Sequence, residues 1–256
     1  LQRELWGERS SIDLDHPDLA LHLHLNRGGA VLSLDGSGGS LHRRGYRAAM
    51  GAAPLKENLA AGLIQLTGWD GRTPLVDPCC GSGILLIEAV TMALQQAPGL
   101  HRTFGLEGWA DFEMDLWERE QDRARQRRRS DLDLAPVLGY EQDPHVADQA
   151  RDNIRAAGLE GLISIHSGSF EQQTLPPDPG LLVCNPPYGQ RIGADDDLEQ
   201  LYRSLGSFLK EQASGWQLWL LSGNPSLTGA LRLKASRRIP ISNGGIDCRW
   251  LNYAIR

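Results

Sequence analysis

Cysteines are scarce and long apolar runs are missing from this sequence of 256 residues, and each shortage excludes a class of protein. The four cysteines stand at positions 79, 80, 184 and 248, none in a CxxC pair, and a disulfide between the neighbours Cys79 and Cys80 would be strained. We therefore expect reduced thiols and no metal site. No apolar run reaches the roughly 18–20 residues of a membrane span, and the amino terminus has no signal pattern. These absences favour a cytoplasmic protein without a membrane anchor.

Basic residues are not in excess either, because the 32 Asp and Glu residues outnumber the 26 Lys and Arg residues and give a formal net charge of −6. Such a balance excludes a nonspecific nucleic-acid coat. Two basic clusters nevertheless occur, at residues 42–47 (HRRGYR) and 119–129 (REQDRARQRRR). The sequence leaves open whether the second cluster is a solvated helical face or contacts phosphates. A hydrophobic content of 41% is enough for a real core, and from the start at Leu1 we expect a fragment of a longer protein.

The first part of the chain is predicted to form a β-hairpin. Residues 21–35 alternate apolar and polar side chains on both sides of a turn at Asn26-Arg27-Gly28-Gly29. His22 and His24 then share one strand face, but no cysteine or third histidine is placed nearby. We interpret this face as solvated rather than metal-binding.

Beyond residue 47 the pattern changes, so we place a domain boundary there, between residues 1–47 and 48–256. Leucines at helical spacing follow Pro54, and strands that alternate with helices predict an α/β fold whose mostly parallel sheet is covered on both faces. An insertion at residues 98–134 interrupts the alternation. The predicted strands are 74–77, 136–141, 162–166, 181–184 and 216–221, the predicted helices are 83–96, 144–157 and 196–213, and a closing hairpin adds antiparallel strands at the sheet edge.

A glycine-rich turn in PLVDPCCGSG, residues 74–83, joins the first of these strands to a helix. Such a turn lets a ligand approach the free amides at the start of a helix. The carboxylate of Asp77 would repel a pyrophosphate but suits a cationic amino group, and the third glycine of GxGxxG is missing. S-adenosylmethionine therefore fits better than NAD, and a nicotinamide oxidoreductase is the rival enzyme class. The predicted cofactor contacts in this turn are Asp77, Pro78, Cys79, Gly81, Ser82 and Gly83.

Acidic and polar residues also end the next two strands. Glu141, followed by Gln142, lies where a carboxylate would accept the hydroxyl protons of a ribose. Asp143 precedes a proline and is predicted to cap the helix at 144–157. Ser169 and Phe170 follow the third strand, where an adenine ring would meet a hydroxyl and an aromatic edge.

The fourth strand ends in Asn185-Pro186-Pro187-Tyr188, at the same carboxyl edge of the sheet. An exocyclic amine of a nucleobase is a poor nucleophile because its lone pair is delocalised into the ring. The Asn185 side-chain oxygen and the Pro186 carbonyl would accept its two hydrogens and draw the nitrogen toward tetrahedral geometry. Pro187 would stiffen that carbonyl, and Tyr188 would offer a stacking face. This chemistry requires positioning rather than a metal or a strong base.

The motifs DPCCGSG, GYEQD and NPPYG, in this order, resemble those of the amino-methylating S-adenosylmethionine-dependent methyltransferases. A longer set is similar to the THUMP-domain 23S rRNA guanine-N2 methyltransferases of the RlmL type, and it runs through nearly the whole chain. That set is LSLDGSGGSLHRRGYR, APLKENLAAGL, DPCCGSGILLIEA, APGLHR and NPPYGQRIG.

This resemblance implies a seven-stranded, Rossmann-like methyltransferase fold, with S-adenosylmethionine as donor and an RNA guanine amine in 23S rRNA or its large-subunit precursor as acceptor. It implies that residues 1–47 are the remnant of a THUMP RNA-binding module. It also places Pro54 and Leu55 near the methionine end of the cofactor, and Asn185 at both substrate and cofactor. Ser169 stands where many methyltransferases have an aspartate that meets the adenine amine.

Other acceptors and one noncatalytic role are the alternatives. A transfer-RNA guanine-N2 methyltransferase would share the RNA-binding module and the catalytic motif, and NPPY also serves adenine-N6 methylation. The HRRGYR segment favours RNA over DNA. A noncatalytic RNA-binding protein is disfavoured because Asp77, Glu141 and the NPPY motif at residues 185–188 are all intact.

Overall fold

The computed structural model describes residues 2–15, 17–47, 55–188 and 195–256. The chain divides into two compact units, of which the first comprises residues 1–41 and 102–123. The second comprises residues 42–101 and 124–256. Part of the predicted insertion thus belongs to the first unit. The assignment of residues 1–47 to an RNA-binding module stays a prediction.

The first unit contains the hairpin that the sequence predicts. A short helix α1 (Gln2–Trp6) precedes strands β1 (Ala20–Asn26) and β2 (Gly29–Asp35), which pair antiparallel around a tight turn with Asn26 opposite Gly29. Because side chains alternate across a strand, His22 and His24 lie on the face opposite to the leucines of β1. A 3₁₀ turn at Gly105–Gly108 completes this unit, and the Leu106 N–H donates to the Gly36 carbonyl at 3.0 Å.

A seven-stranded sheet forms the centre of the second unit, and the predicted fold class is confirmed. Its spatial order is β5-β4-β3-β6-β7-β9-β8, and the five strands from β5 to β7 run parallel. The antiparallel strand is β9, second from the edge, which pairs with both β7 and β8. The strands are β3 (Leu75–Asp77), β4 (Val137–Glu141), β5 (Ser164–Ser167), β6 (Leu181–Cys184), β7 (Gln217–Ser222), β8 (Arg237–Asn243) and β9 (Ile246–Ala254).

Helices lie close to the three predicted positions, 83–96, 144–157 and 196–213, and two further helices, at 114–126 and 225–230, were not predicted. The helix predicted at 83–96 ends earlier, at Ala93, because Gln95 has a φ of 54° that a helix cannot continue. The helices are α2 (Glu57–Thr67), α3 (Ile84–Ala93), α4 (Met114–Gln126), α5 (Pro144–Ala156), α6 (Asp195–Gln212) and α7 (Pro225–Ala230). Within the described ranges, no helix is long and apolar enough to cross a membrane.

Apolar side chains fill both faces of the sheet, as expected for buried parallel strands. Alternate residues of one strand serve opposite faces: Leu181 and Val183 pack with α2 and α3, whereas Leu182 and Cys184 pack with α6. All four are buried. Continuous apolar runs such as LLVC therefore reflect helices on both sides, and the sheet leaves only its edges and strand ends for polar chemistry.

Three residues of the basic cluster at 42–47 have partners inside the protein, and whether the cluster contacts RNA stays a prediction. Arg44 lies 3.6 Å from a carboxylate oxygen of Glu88, and Arg47 lies 3.7 Å from one of Glu57. The buried Tyr46 hydroxyl donates to Glu88 at 2.8 Å. Burial raises the pKa of the Glu88 carboxyl, and the hydrogen bond from Tyr46 opposes this shift. Arg44 and Arg47 thus pair with carboxylates that are almost fully buried.

Candidate functional site

The polar residues predicted from sequence meet at the carboxyl edge of the sheet. Asp77 pairs with Gly139 in β4, and Glu141 lies two residues further along that strand. On the other side of β3, Val76 pairs with Leu182 in β6. Asn185 follows β6 at nearly the same level along the strands as Glu141. The chain leaves β3 toward β4 on one side and later returns to β6 on the other. Ligands of open α/β sheets bind in the crevice at such a reversal of strand order.

The geometry of the turn after β3 would allow a ligand to approach its backbone. The backbone N–H of Cys79 donates to Oδ1 of Asp77 at 3.1 Å, which fixes the start of the turn. Gly81 has a φ of 54°, and a Cβ built there would have no atom within 4 Å. The space beside Gly81 is therefore open to a ligand, and the backbone conformation disfavours a side chain that would fill it. Pro78 and Gly83 are buried, whereas Cys79 and Ser82 are half-buried.

Asp77 is an unusual carboxyl group because it is only 1% exposed. Burial raises its pKa to about 8; the hydrogen bond from Cys79 acts against this shift, and repulsion from Glu141 adds a smaller contribution in the same direction as burial. A carboxylate in this position is poorly solvated and gains much from a cation. An ammonium or sulfonium group bound at this site would therefore stabilise the ionised form of Asp77.

Glu141 joins the loop to the neighbouring strand. Its Oε2 accepts the Gly81 N–H at 3.0 Å, and its Oε1 accepts the Asp143 N–H at 2.9 Å. A carboxylate has about four lone-pair sites, so each oxygen can accept one more hydrogen bond, for example from a ribose hydroxyl. Asp143 caps α5 by accepting the His145 N–H at 2.8 Å, as the sequence predicts.

The substitution Glu141→Gln is expected to weaken the binding of S-adenosylmethionine about tenfold. Gln has one acceptor oxygen instead of two, so a ribose hydroxyl would compete with the backbone amides of Gly81 and Asp143 for it, a loss of binding free energy on the order of 1–1.5 kcal/mol. Titration calorimetry measures the affinity, and Glu160→Gln, an exposed carboxylate beyond the end of α5, is the matched control. Equal affinity in Glu141→Gln and wild type would contradict the role of Glu141.

The Asn-Pro-Pro-Tyr motif directly follows β6. Within the described part of the chain, Oδ1 of Asn185 is buried and has no hydrogen-bond partner. An unpaired buried acceptor is costly, and a ligand donor at this edge of the sheet would satisfy it. Pro186 is buried, Pro187 is half-buried, and the half-buried Tyr188 ring packs against both core layers.

The remaining predicted residues are less closely tied to the crevice. Ser169 accepts the Glu171 N–H with its hydroxyl and so caps a 3₁₀ turn, and the Phe170 ring is 4% exposed against Phe208. Gln142 is exposed. Leu55 is buried, and its carbonyl accepts from Arg47 at 3.4 Å, whereas Pro54 lies outside the described residues. Their contacts with a cofactor stay predictions.

Two residues that support the loop were not identified from the sequence. Nδ2 of the buried Asn153 in α5 donates to the Ser82 carbonyl at 3.0 Å. The signal for Asn153 in the sequence was a polar amide at a position of the predicted helix that faces the protein interior. At Gly139, a Cβ would lie 2.9 Å from Sγ of Cys80 and 2.7 Å from Ile165, so that only glycine lets the loop pack on β4. In the parts of the chain that are described, no cluster of His, Cys, Asp or Glu could hold a metal ion.

Comparisons with known proteins agree with this geometry. Ribosomal RNA large subunit methyltransferase K/L of Syntrophotalea carbinolica is 44% identical over 263 aligned residues, which cover 99% of this chain and 37% of the relative. The chain thus spans little more than a third of that protein. The solved structure of SMU.472 with bound SAH superposes with a TM-score of 0.86 at 28% identity, covering 99% of this chain and 67% of that one. A predicted N6-adenine-specific DNA methylase of Listeria monocytogenes has a TM-score of 0.82 at 31% identity, with 92% and 60% covered.

The family model of the RMKL-like methyltransferase domain (UPF0020) matches residues 44–252. This range contains the glycine-rich turn, Glu141 and the NPPY motif at residues 185–188, and it confirms the family-level resemblance seen in the sequence. The chain belongs to the RMKL-like methyltransferase domain family.

Proposed function

We propose that this chain transfers a methyl group from S-adenosylmethionine to the exocyclic N2 amine of a guanine in 23S rRNA. The observation that carries the proposal is Oδ1 of Asn185, which is buried, has no partner among the described residues and lies at the switch point of the sheet, on the opposite side of β3 from Glu141. An amine hydrogen is the donor that this oxygen lacks. The family supplies the methyltransferase chemistry, and the K/L relative supports ribosomal RNA as the acceptor.

The residues at the carboxyl edge fit S-adenosylmethionine. When bound, it supplies an electrophilic methyl group on a sulfonium. The buried carboxylate of Asp77 would hold its ammonium group, and the open space at Gly81 leaves room for it beside the loop. Glu141 would accept from the ribose hydroxyls while it keeps the loop amide of Gly81 in place. The SAH held by the structural neighbour SMU.472 supports this choice.

Asn185 and Pro186 would position the amine. Its two hydrogens would be accepted by Oδ1 of Asn185 and by the Pro186 carbonyl, which turns the nitrogen lone pair toward the methyl group. The new N–C bond forms as the C–S bond breaks, the electron pair stays on sulfur, and the amine proton leaves to water. No general base is needed because the alkylated nitrogen is strongly acidic before it loses that proton. Tyr188 would stack on the base.

Adenine N6 is the second candidate acceptor, because a relative of 31% identity is named as an adenine-specific methylase. Guanine N2 and adenine N6 are both aromatic amines with two hydrogens, so the Asn185 oxygen suits either. The higher identity of 44% to the ribosomal RNA enzyme favours ribosomal RNA over DNA as the acceptor.

The acceptor can be identified directly. We expect the purified protein, incubated with labelled S-adenosylmethionine and naked 23S rRNA, to give N2-methylguanine on nucleoside mass spectrometry. A parallel preparation of Asn185→Ala controls for a contaminating methyltransferase. Transfer RNA and DNA are the comparison substrates. Label confined to transfer RNA, or found only as N6-methyladenine, would refute the proposed acceptor.

A further inference from the structure

The hydroxyl group of Tyr188 is held by residues that are distant in the sequence. Nδ2 of Asn243 donates a hydrogen bond to this oxygen at 2.9 Å, and Sγ of Cys248 lies 3.6 Å from it. Asn243 is the last residue of β8, and Cys248 lies in β9. The tip of the β8–β9 hairpin thus reaches the residue that follows Asn185-Pro186-Pro187, although two strands separate β8 from β6 in the sheet.

The ring of Tyr188 is confined along its edge as well. A Cβ built at Gly223, directly after β7, would lie 3.3 Å from Cδ2 of Tyr188, so the missing side chain allows this close approach. Burial raises the pKa of the Tyr188 hydroxyl to about 12, and the hydrogen bond from Asn243 acts against this shift. The group therefore stays protonated near neutral pH, and the ring is fixed at its oxygen and at one edge.

Asn243 is not needed to form its own turn. The hairpin closes with Asn243 opposite Ile246, and the two residues between them are Gly244 and Gly245, at φ of 59° and 84°. Two glycines at positive φ suffice for a tight hairpin turn. The Asn243 side chain instead points at Tyr188, and the bond links residues 55 positions apart.

Stacking alone does not require a hydroxyl, because a phenylalanine has the same π-face. The hydroxyl matters when it anchors the ring in one orientation before the base arrives. A ring that is already ordered loses less conformational freedom on binding, and it holds the base where the amine meets Asn185. The anchored tyrosine is thus suited to positioning rather than only to contact.

We propose that Asn243 is a positioning residue for base methylation, which holds the Tyr188 ring in the orientation on which the acceptor base stacks. This inference rests on the proposed function, and it adds the tip of the β8–β9 hairpin to the substrate site. If the inference holds, removal of the Asn243 amide lowers the turnover of RNA through its effect on Tyr188. The binding of the cofactor stays unchanged.

A double-mutant cycle on Asn243→Leu and Tyr188→Phe tests this coupling. Each single variant is expected to lower kcat/KM for 23S rRNA about 5- to 10-fold, the size of one net hydrogen bond. The double variant should lose no more than either single variant, because both remove the same bond. Affinity for S-adenosylmethionine, measured by calorimetry, should stay within about twofold of wild type. Ser242→Ala, the exposed neighbour on β8, is the matched control for hairpin stability and should keep wild-type kinetics.

The inference is overturned if Asn243→Leu retains wild-type kcat/KM, if the two losses multiply in the double variant, or if Ser242→Ala loses as much. A second measurement does not depend on turnover. In NMR spectra of protein with ¹³C-labelled tyrosine rings, Asn243→Leu should change the Tyr188 ring signals, whereas Ser242→Ala should leave them in place. A wild-type protein that methylates neither rRNA nor any other nucleic acid would refute the proposed function. In that case the ring signals still test whether Asn243 holds the Tyr188 ring. Unchanged signals in Asn243→Leu would show that it does not.

Discussion

Asn185→Ala is expected to lower methyl transfer at least about 100-fold, because misplacement of a reacting group by about 1 Å is enough for such a loss. The variant lacks the side-chain oxygen that would accept one amine hydrogen, so the lone pair is no longer directed at the methyl group. The predicted cofactor loop from Asp77 to Gly83 is untouched, so S-adenosylmethionine should bind nearly as in wild type. Single-turnover rates and titration calorimetry measure the two quantities separately.

The same substitution should leave the stability of the free protein unchanged or raise it. Oδ1 of Asn185 is buried without a partner among the described residues, and removal of an unpaired acceptor relieves a desolvation penalty on the order of 1 kcal/mol. Asn153→Ala is the matched control, because that buried amide does have a partner, the Ser82 carbonyl, and its loss should lower Tm. A large fall in Tm for Asn185→Ala, or turnover equal to wild type, would show that Asn185 is structural.

The sequence predicted the fold and which polar residues meet at one edge of the sheet, because both depend on local patterns. Apolar runs such as Leu181–Cys184 identify strands buried on both faces, and the polar residue after each run then lies at the carboxyl edge. Parallel connectivity brings these ends together without knowledge of any side-chain contact. Asp77, Glu141 and Asn185 were therefore grouped correctly at one edge, whereas their contacts with substrate and cofactor await experiment.

What the sequence did not show depends on contacts between distant segments. Arg44 and Arg47 are read as exposed charges in a basic run, and only the packing of that run on α2 and α3 brings them to Glu57 and Glu88. The bond from Asn243 to Tyr188 likewise requires the strand order of the sheet, in which β9 inserts between β7 and β8. A sequence pattern carries no information about either partner. Side-chain pairing at long range is thus where the structure adds most to this site.

Asp77→Asn is expected to weaken S-adenosylmethionine binding about 30-fold, because it removes a charge-assisted interaction worth roughly 2 kcal/mol. The asparagine oxygen can still accept the Cys79 N–H that Oδ1 of Asp77 accepts in wild type, so the turn should keep its shape. Asp143→Asn is the matched control: this carboxylate lies near the same edge, it caps α5, and an asparagine caps a helix equally well. Its cofactor affinity should match wild type. Calorimetry on the three proteins gives the comparison, and equal affinity in Asp77→Asn would show that the buried carboxylate does not hold the cofactor.

The same variant should make the unliganded protein more stable at alkaline pH. Burial raises the pKa of Asp77 to about 8 in the folded protein, against about 4 in an unfolded chain. Between these values the folded state binds more protons than the unfolded state, so this group makes the stability fall as pH rises through that window. The amide introduced by Asp77→Asn cannot ionise, so the Tm of the variant should exceed that of wild type most clearly at pH values above about 8 and converge with it below about pH 4.

Saturating S-adenosylmethionine should then reverse the order at high pH, because only the wild-type carboxylate gains a cationic partner. A variant that loses both cofactor affinity and alkaline stability would instead indicate a damaged loop, since the removal of a buried, poorly solvated charge predicts lower cofactor affinity but higher alkaline stability.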